Sequence, residues 1–415
     1  MYSQIKQCRI CGNRELVPIL NLGAQALTGV FPKKKDEPVS RAPLELVKCM
    51  GGNEEACGLV QLRHSCNLNE LYADNYGYRS GLNKSMVEHL QRKVKKIEGL
   101  VTLAPGDLIV DIGSNDSTLL RSYSDNKLLL VGIDPTGAKF KEFYPPYISL
   151  IPSFFSAEAV KKAYPGKKAK IITSIAMFYD LESPLGFMLE INEVLGDEGI
   201  WVFEQSYLPS MLSANAYDTV CHEHLEYYAL KQIFWLTQKA GLKIIEVEKN
   251  DVNGGSFSVA VAKKGSAKWQ ESAEARKILK EEEKNGLDSL KPFEEFSQRV
   301  FRHREELLEN IEKINRQGKK LFGYGASTKG NVILQFCSLT EKEIPCIAEV
   351  NKDKFGCYTP GTLIPIISEA EAKKMQPDFF LVLPWHFREN IISRERDYLQ
   401  GGGKLFFPLP QIKIV

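Results

Sequence analysis

The chain has 415 residues, 43% apolar and 26% charged, a globular composition with room for two or three domains. Its 54 Lys and Arg against 52 Asp and Glu leave a formal net charge of +2, which gives no electrostatic case for binding nucleic acid. Apolar runs are too short for a membrane span and the N-terminus lacks a hydrophobic signal region, so we expect a cytoplasmic protein with no membrane partner. Nine cysteines, an odd number in a chain this long, argue against a disulfide framework.

Cysteines cluster in residues 1–70, which we predict to be a small domain of short strands and turns. Cys8 and Cys11 form a CxxC pair followed by glycine, and Cys49 and Cys57 form a second, wider pair. Four thiolates from two separated turns suit the closed tetrahedral site of structural zinc. The alternative is a set of ordinary reduced cysteines. We therefore expect this domain to fold around Zn²⁺ rather than to use the metal in catalysis.

Residues 71–288 are predicted to form a second domain in which strands alternate with helices. An apolar stripe at helical spacing predicts a helix around residues 86–97, with His89 on its surface. The predicted strands are Leu108–Ile112, Leu128–Ile133, Ile171–Ser174, Gly199–Glu204, Leu242–Val247 and Phe257–Val261. This alternation indicates a doubly wound, mostly parallel sheet.

A loop with one glycine follows the first of these strands. Gly113 lets the backbone approach a ligand closely, and Asp134 ends the second strand, where an acidic residue typically takes ribose hydroxyls. One glycine is too few for a dinucleotide loop, and the lysine of a triphosphate loop is missing. The acidic loop instead suits a cationic donor, S-adenosylmethionine, although any Asp-x-Gly turn is the alternative. The candidate cofactor-binding residues are Asp111, Gly113, Asn115, Asp116, Asp134 and Pro135.

The stretch His222-Glu223-His224 follows the strand Gly199–Glu204, near the edge of the sheet where ligands bind in open α/β folds. Its spacing differs from the HExxH of zinc hydrolases. A histidine is the usual general base near neutral pH, and a flanking carboxylate can orient it. If the stretch is extended, the two histidines share one face. The alternative is a polar turn with a core histidine.

Residues 289–415 are predicted to form a third domain, which follows a charged helical connector broken near Asn285 and Pro292. His303 lies on the connector, and we expect it at the surface. His386 follows a predicted strand, and we expect it to line a cleft. The predicted strands are Lys320–Tyr324, Pro345–Glu349, Asp378–Leu383 and Lys404–Phe407. A glycine turn between the first strand and a helix offers amides and Lys329 to a pyrophosphate, or is a structural turn that has lost its cofactor.

Together these motifs resemble the nucleotide-sugar C-methyltransferases, of the type that methylates C3 of a 4-keto-deoxysugar in tetronitrose-like sugars. The resemblance covers nearly the whole chain. It includes the cysteine pairs, the segment from Tyr76 to Met86, the donor loop, the His-Glu-His stretch and the turn at residues 323–331. It implies an α/β protein with an N-terminal zinc-binding module, a central Rossmann-like methyltransferase domain that binds S-adenosylmethionine, and a second Rossmann-like domain at the C-terminus.

The resemblance also implies a mechanism, in which His224, assisted by Glu223, removes the proton beside a ketone and the enolate attacks the donor's methyl group. The family often has tyrosine where Cys221 stands; if that tyrosine polarises the ketone, Tyr76, Tyr78 or His222 must substitute, or the substrate differs. The candidate catalytic residues are His224, Glu223, His222 and Tyr76. The candidate substrate-binding residues are Tyr78, Ser80, Asn83, Cys221, Tyr324, Lys329 and Asn331.

The expected partner is a keto-deoxysugar linked to dTDP, GDP or another nucleoside diphosphate, and we expect a monomer because no surface helix shows a spare apolar stripe. Three alternatives stay open at this point. The first is O- or N-methylation of a nucleotide sugar by the same donor. The second is a sugar-nucleotide binding protein without catalysis. The third is a dinucleotide oxidoreductase built on the C-terminal domain, where Glu349 follows Gly325 by 24 residues.

Overall fold

A computed structural model describes residues 2–51, 56–71, 78–124 and 127–415; Tyr76 lies outside the described residues. The strands are β1 (Tyr2–Gln4), β2 (Leu16–Ala26), β3 (Arg41–Cys49), β4 (Val60–Leu62), β5 (His64–Cys66), β6 (Leu108–Ile112), β7 (Leu129–Ile133), β8 (Ile148–Ile151), β9 (Ala169–Ile175), β10 (Leu195–Ser206), β11 (Glu226–Tyr227), β12 (Leu242–Asn250), β13 (Ser256–Lys263), β14 (Leu321–Tyr324), β15 (Ile347–Glu349), β16 (Ile366–Ser368), β17 (Phe379–Val382), β18 (Lys404–Phe407) and β19 (Lys413–Ile414). The helices are α1 (Leu68–Leu71), α2 (Lys84–Leu100), α3 (Ala157–Ala163), α4 (Pro184–Val194), α5 (Leu208–Ser213), α6 (Leu230–Lys239), α7 (Ala273–Lys284), α8 (Lys291–Arg316), α9 (Thr328–Phe336), α10 (Glu369–Lys374), α11 (Arg388–Arg394) and α12 (Arg396–Gln400).

The central sheet has seven strands in the order β12-β13-β10-β9-β6-β7-β8. β13 runs antiparallel to both neighbours, and the other pairs are parallel. The predicted doubly wound sheet is therefore confirmed, with β8 as an additional edge strand. The parallel strands end at one edge, so the loops that follow β6, β7, β9 and β10 meet there.

A second sheet of six strands, in the order β16-β15-β14-β17-β18-β19, forms the C-terminal Rossmann-like unit. All its pairs are parallel except β18 with β19. The connector consists of α7 and α8, and it breaks where the sequence predicts, with Pro292 in the first turn of α8. The second α/β unit is thus confirmed, and the edge strands β16 and β19 were not predicted.

The N-terminal module contributes a small antiparallel sheet in the order β11-β4-β3-β2, and β1 pairs with β5 beside it. Strand β11 does not belong to the module's own segment: it follows the His-Glu-His stretch directly and pairs with β4. Apolar residues of β2 and β3 also share one core with α8 and β14. The N-terminal module therefore packs directly against both larger units.

Two histidines predicted at the surface are buried, which corrects the expectation. His89 lies on α2 between Met86 and Leu90, and its Nε2 lies 2.6 Å from Glu204 Oε1. His303 lies on the buried stripe of α8, 3.2 Å from the Tyr217 hydroxyl through Nδ1. Each occupies an i+3 position on an apolar face, where a polar side chain needs an internal partner.

Among the described helices, none combines the length and apolar character that a membrane crossing requires.

Candidate active site

A cavity of about 1100 Å³ opens where the three parts of the chain meet. Its wall includes the loops after β6, β7, β9 and β10, the His-Glu-His stretch, Gly29 and Phe31 of the N-terminal module, and the loops after β14 and β15. Cavities for one drug-sized ligand typically span about 300–1,000 Å³. This cavity is therefore large enough for a methyl donor and an acceptor side by side.

The conformation of the donor loop depends on the positive φ of Gly113 and on hydrogen bonds to Asp134. Gly113 has φ +74°, and a Cβ added to it would lie 3.2 Å from Met177 Cγ, so a side chain here would be strained and crowded. The Asp134 carboxylate accepts from the Asn115 amide at 2.8 Å and from the Thr136 amide at 2.7 Å. A carboxylate has about four acceptor positions, so Asp134 can fix the loop and still accept from a ligand hydroxyl.

Asp111 and Asp116 have different surroundings. Asp111 lines the cavity, accepts from Thr173 Oγ1 at 2.6 Å, and burial raises its pKa to about 7. Asp116 is buried and is not on the cavity wall; its Oδ2 accepts from the Gly81 amide at 3.0 Å and its Oδ1 accepts from Thr118 Oγ1. The structure thus corrects Asp116 from a donor-binding residue to one that anchors the neighbouring segment.

That segment runs from Tyr78 to Asn83 along one side of the cavity. Asn115 Oδ1 accepts from the Ser80 amide at 2.9 Å, and Asn115 Nδ2 donates to the Tyr78 carbonyl at 3.1 Å. Asn83 Oδ1 caps α2 by accepting from the Ser85 amide. Tyr78, Ser80 and Asn83 all line the cavity. The donor loop and the segment that covers it are therefore one hydrogen-bonded unit.

His224 has the geometry of a neutral general base. Its Nδ1 lies 2.9 Å from the Thr219 carbonyl, which can only accept, so Nδ1 carries the proton and Nε2 presents a lone pair. The ring lines the cavity and packs against Tyr179 at 4.3 Å between ring centroids. Burial, together with the charge of Lys329, lowers the pKa of His224 to about 3. The imidazole is therefore neutral at physiological pH.

Glu223 lies beside His224 but is engaged elsewhere. Thr28 Oγ1 donates to its Oε2 at 3.4 Å, and a Cβ on Gly29 would approach its Oε1 to 2.2 Å, so a side chain at residue 29 would displace the carboxylate. Burial raises the pKa of Glu223. Among the described residues no hydrogen bond joins Glu223 to His224, so the Thr219 carbonyl, not Glu223, orients the imidazole of His224.

His222 is not on the cavity wall, which corrects its place among the catalytic candidates. Its Nε2 donates to the Ala42 carbonyl at 3.1 Å, its side chain is buried, and burial lowers its pKa to about 4. The stretch is a turn rather than a strand, so His222 and His224 do not share a face. His222 instead attaches the turn to the N-terminal module.

The C-terminal unit supplies the opposite wall, where Tyr324, Lys329 and His386 line the cavity. Lys329 Nζ donates to the Asn253 carbonyl at 3.0 Å, and the Tyr324 hydroxyl donates to Glu395 at 2.8 Å. Cys221, which precedes the His-Glu-His turn of the central domain, is fully buried and also borders the cavity. The position of His386 agrees with its predicted place in a cleft.

Asn331 was expected to bind substrate, but it is fully buried and not on the cavity wall. Its Nδ2 donates to the Thr28 carbonyl at 2.7 Å, which links α9 to the N-terminal module. Helix α9 packs on that module, and Asn331, the fourth residue of the helix, faces the module rather than the cavity. Asn331 therefore supports the wall.

Glu349 repeats in the C-terminal unit the arrangement of Asp134. Its Oε2 accepts from the Ala326 amide at 2.7 Å, and its Oε1 accepts from the Asn351 amide at 2.8 Å. Gly325, like Gly113, has positive φ, and Glu349 lines the same cavity. The sequence spacing singled out Glu349 only for an oxidoreductase, and the cavity-lining residues Arg394, Glu204 and Gln205 were missed because no motif marks them.

The four predicted zinc ligands converge. The sulfur atoms of Cys8, Cys11, Cys49 and Cys57 all lie within 4.8 Å of one another, and two of the pairs are separated by 3.5 Å. Ligands at the usual Zn–S distance around a tetrahedral ion are about 3.8 Å apart, so the cluster fits Zn²⁺. The site is closed and lies apart from the cavity, as a structural metal requires.

Comparisons with known proteins agree with this three-part architecture. Residues 8–72 match a family described as "Putative zinc binding domain", residues 83–247 one described as "Methyltransferase domain", and residues 251–410 one described as "C-methyltransferase C-terminal domain". The C-methyltransferase NovU of Streptomyces niveus is 28% identical over 414 residues, which are 99% of this chain and 97% of NovU.

Two solved structures align with part of the chain. An S-adenosylmethionine-dependent methyltransferase from Clostridium acetobutylicum is 11% identical, with a TM-score of 0.33 over 43% of this chain and 92% of that chain. LepI in complex with SAM is 16% identical, with a TM-score of 0.35 over 47% of this chain and 51% of that chain. TM-scores this low support no conclusion about function.

Proposed function

We propose a specific reaction for this S-adenosylmethionine-dependent methyltransferase, because its three domains match the zinc-binding, methyltransferase and C-methyltransferase C-terminal families and the whole chain is similar to the C-methyltransferase NovU. The proposed acceptor is a nucleotide-linked 4-keto-6-deoxysugar. The proposed product carries a new methyl group on the ring carbon beside the ketone, with C3 as the expected position. The nucleotide is dTDP, GDP or another nucleoside diphosphate.

The donor loop has the chemistry that S-adenosylmethionine needs. Burial raises the pKa of Asp111, and a cationic ligand beside it would favour its ionised form; Asp134 has acceptor capacity left for a ribose hydroxyl, and Gly113 admits close approach of the backbone. Asn115 and Pro135 complete the proposed set. When bound, S-adenosylmethionine supplies an electrophilic methyl carbon whose bond to sulfur breaks with the electron pair remaining on sulfur. The acidic loop complements its ammonium and sulfonium charges.

The single observation that carries the proposal is the Nε2 lone pair of His224 at the cavity wall. A ring carbon becomes a nucleophile only as an enolate, so the reaction needs a base beside the ketone. We assign that base to His224: Nε2 takes the proton, the C–H electron pair becomes a C=C bond, and the carbonyl π pair moves to oxygen. The enolate carbon then attacks the methyl group.

The C-terminal unit is the proposed site for the nucleotide diphosphate. The amides at the N-terminus of α9 and the Lys329 ammonium offer donors and positive charge to a diphosphate. Tyr324 lies on the same wall, and Tyr78, Ser80, Asn83 and Cys221 line the cavity from the central domain. This arrangement would bring the sugar between the donor loop and His224.

We test the proposal with His224→Asn, which removes the base but keeps a polar side chain of smaller size. Turnover is expected to fall by about 100-fold or more, since general base catalysis typically contributes that much. Donor affinity, measured by calorimetry, is expected to stay within about twofold because the partners described for His224 are Thr219 and Tyr179, which lie outside the donor loop. Loss of donor affinity together with turnover would contradict the role of His224 as the base.

A further inference from the structure

Gln205 lies at the carboxyl end of β10 and lines the cavity. The residue is 2% exposed, and neither Oε1 nor Nε2 of its carboxamide has a hydrogen-bond partner within the described part of the chain. Buried polar groups are almost always hydrogen-bonded, because an unmade bond destabilises the fold. A carboxamide left with both ends unpaired on a cavity wall is expected to have its partner in a ligand.

The pleat of β10 shows which side of the sheet Gln205 occupies. Phe203 packs against Phe178 at 5.3 Å between ring centroids, and Phe178 also packs against Tyr228 at 5.4 Å. Side chains alternate along a strand, so Gln205 shares the face of Phe203 and lies about 6.8 Å further towards the cavity. Tyr228 is four residues after His224. Gln205 therefore lies on the face that carries the His-Glu-His turn.

Backbone hydrogen bonds fix the turn and the strand end relative to each other. The Leu208 amide, just beyond β10, donates to the Tyr228 carbonyl at 2.9 Å, and the Leu225 amide donates to the Tyr179 carbonyl at 2.8 Å. On the other side, the Ala176 amide donates to the Glu204 carbonyl at 2.7 Å, which joins β10 to the loop that contacts Gly113. Gln205 is thus placed between the donor loop and the base.

We propose that Gln205 is a catalytic residue whose Nε2–H donates to the ketone oxygen of the acceptor and stabilises the enolate oxygen as charge develops there. This inference rests on the proposed function, since only enolate formation places a negative charge on that oxygen. No proton is transferred to or from Gln205; it donates one hydrogen bond, and Oε1 is free to accept from a neighbouring hydroxyl. A donor fixed at the end of a strand is preorganised, so the bond strengthens without rearrangement.

Gln205→Leu tests the proposal, because leucine has a similar volume and no hydrogen-bonding group. We expect kcat to fall by about 100-fold or more, the usual effect of removing one donor to an oxyanion. A second measurement isolates proton removal: deuterium uptake from D₂O at the carbon beside the ketone, with S-adenosylhomocysteine present in place of the donor. Deuterium uptake is expected to fall in the same proportion as kcat, while the affinity for S-adenosylhomocysteine is unchanged.

Gln25→Leu is the matched control. Gln25 is also 2% exposed with both amide atoms unpartnered, but it lies on β2 and does not line the cavity. This variant is expected to retain wild-type kcat and deuterium uptake. If the wild type takes up deuterium and Gln205→Leu does so equally fast, the role of Gln205 is overturned and the proposed function stands. If the wild type takes up no deuterium, the proposed function itself is overturned.

Discussion

The Thr219 carbonyl decides which nitrogen of His224 can act as a base. Because a carbonyl only accepts, Nδ1 holds the proton and Nε2 is left for the substrate. Burial and the nearby Lys329 ammonium both disfavour the imidazolium and lower its pKa to about 3. The base is therefore ready in its neutral form before substrate binds, and a diphosphate on Lys329 would make it more basic.

Lys329→Met is expected to move the acid limb of the pH profile of kcat/KM towards neutral pH. Removal of the ammonium leaves burial as the main cause of the lowered pKa of His224, so the pKa rises towards its ordinary value and protonation begins at higher pH. Wild type should keep its base neutral throughout pH 5–8. Lys342→Met, at an exposed position of the same unit, is the control. If the acid limb lies at the same pH in Lys329→Met and in the wild type, Lys329 does not influence the pKa of His224.

Individual site residues differ in how far the sequence alone predicts them. The positions of His224, Gly113 and Asp134 can be predicted from the nearby sequence. Each follows a recognisable strand, and ligands bind at the carboxyl ends of strands in such sheets. Asp116, His222 and Asn331 belong to the same motifs but point into protein, and their partners are 35, 180 and 303 residues away in sequence. Gln205 has no motif, and only its burial without a partner singles it out.

At the level of elements, β11 connects the zinc module to the catalytic turn. It pairs with β4, and the Leu62 amide donates to the Leu225 carbonyl at 2.8 Å, one residue after His224. Arg9, inside the CxxC turn, donates to the Leu62 carbonyl at 2.7 Å and lies 3.7 Å from the buried carboxylate of Glu226. The metal therefore orders a turn that holds the strand beside the base.

Arg9→Met is expected to lower both the melting temperature and kcat, because it removes the guanidinium that donates to the Leu62 carbonyl and lies beside the buried carboxyl of Glu226. Burial raises the pKa of Glu226 and reduces its charge at neutral pH, so the loss is expected to stay below the roughly 3–5 kcal/mol typical of breaking a fully charged buried pair. The double variant Arg9→Met with Glu226→Gln removes both charges and should recover most of the stability. Zinc content, measured on all three proteins, should stay at one ion per chain. An Arg9→Met protein with wild-type melting temperature and kcat would show that this contact does not support the turn.

Considering the whole molecule, three segments that are far apart in sequence enclose one cavity. The central sheet supplies the donor loop, the C-terminal unit supplies Lys329 and Glu349, and the N-terminal module supplies Gly29 and Phe31. Both α/β units use the same device, a positive-φ glycine and an acidic residue whose carboxylate accepts from a loop amide. We infer that one unit is built for the donor and the other for the nucleotide of the acceptor.

The two α/β units follow from the alternation of strand and helix patterns, since that signal is local and repeated. Other features depend on contacts that no local pattern encodes. Strand β11 has two residues and exists because β4 offers an edge, and the short strands β16 and β19 lie at the edges of their sheet. The shared core of β2, β3, α8 and β14 likewise follows from tertiary packing. The domain limits at residues 70 and 288 and the monomeric state stay predictions.

The position of the transferred methyl group tests the central claim most directly. The purified protein is incubated with S-adenosylmethionine that carries a ¹³C-methyl group and with dTDP-, GDP- and UDP-linked 4-keto-6-deoxysugars, and the products are examined by carbon NMR. We predict a labelled signal in the aliphatic region, coupled to a ring carbon beside the ketone. A labelled signal in the methoxy or N-methyl region would contradict it, because the base at His224 would then serve a hydroxyl or an amine rather than an enolate.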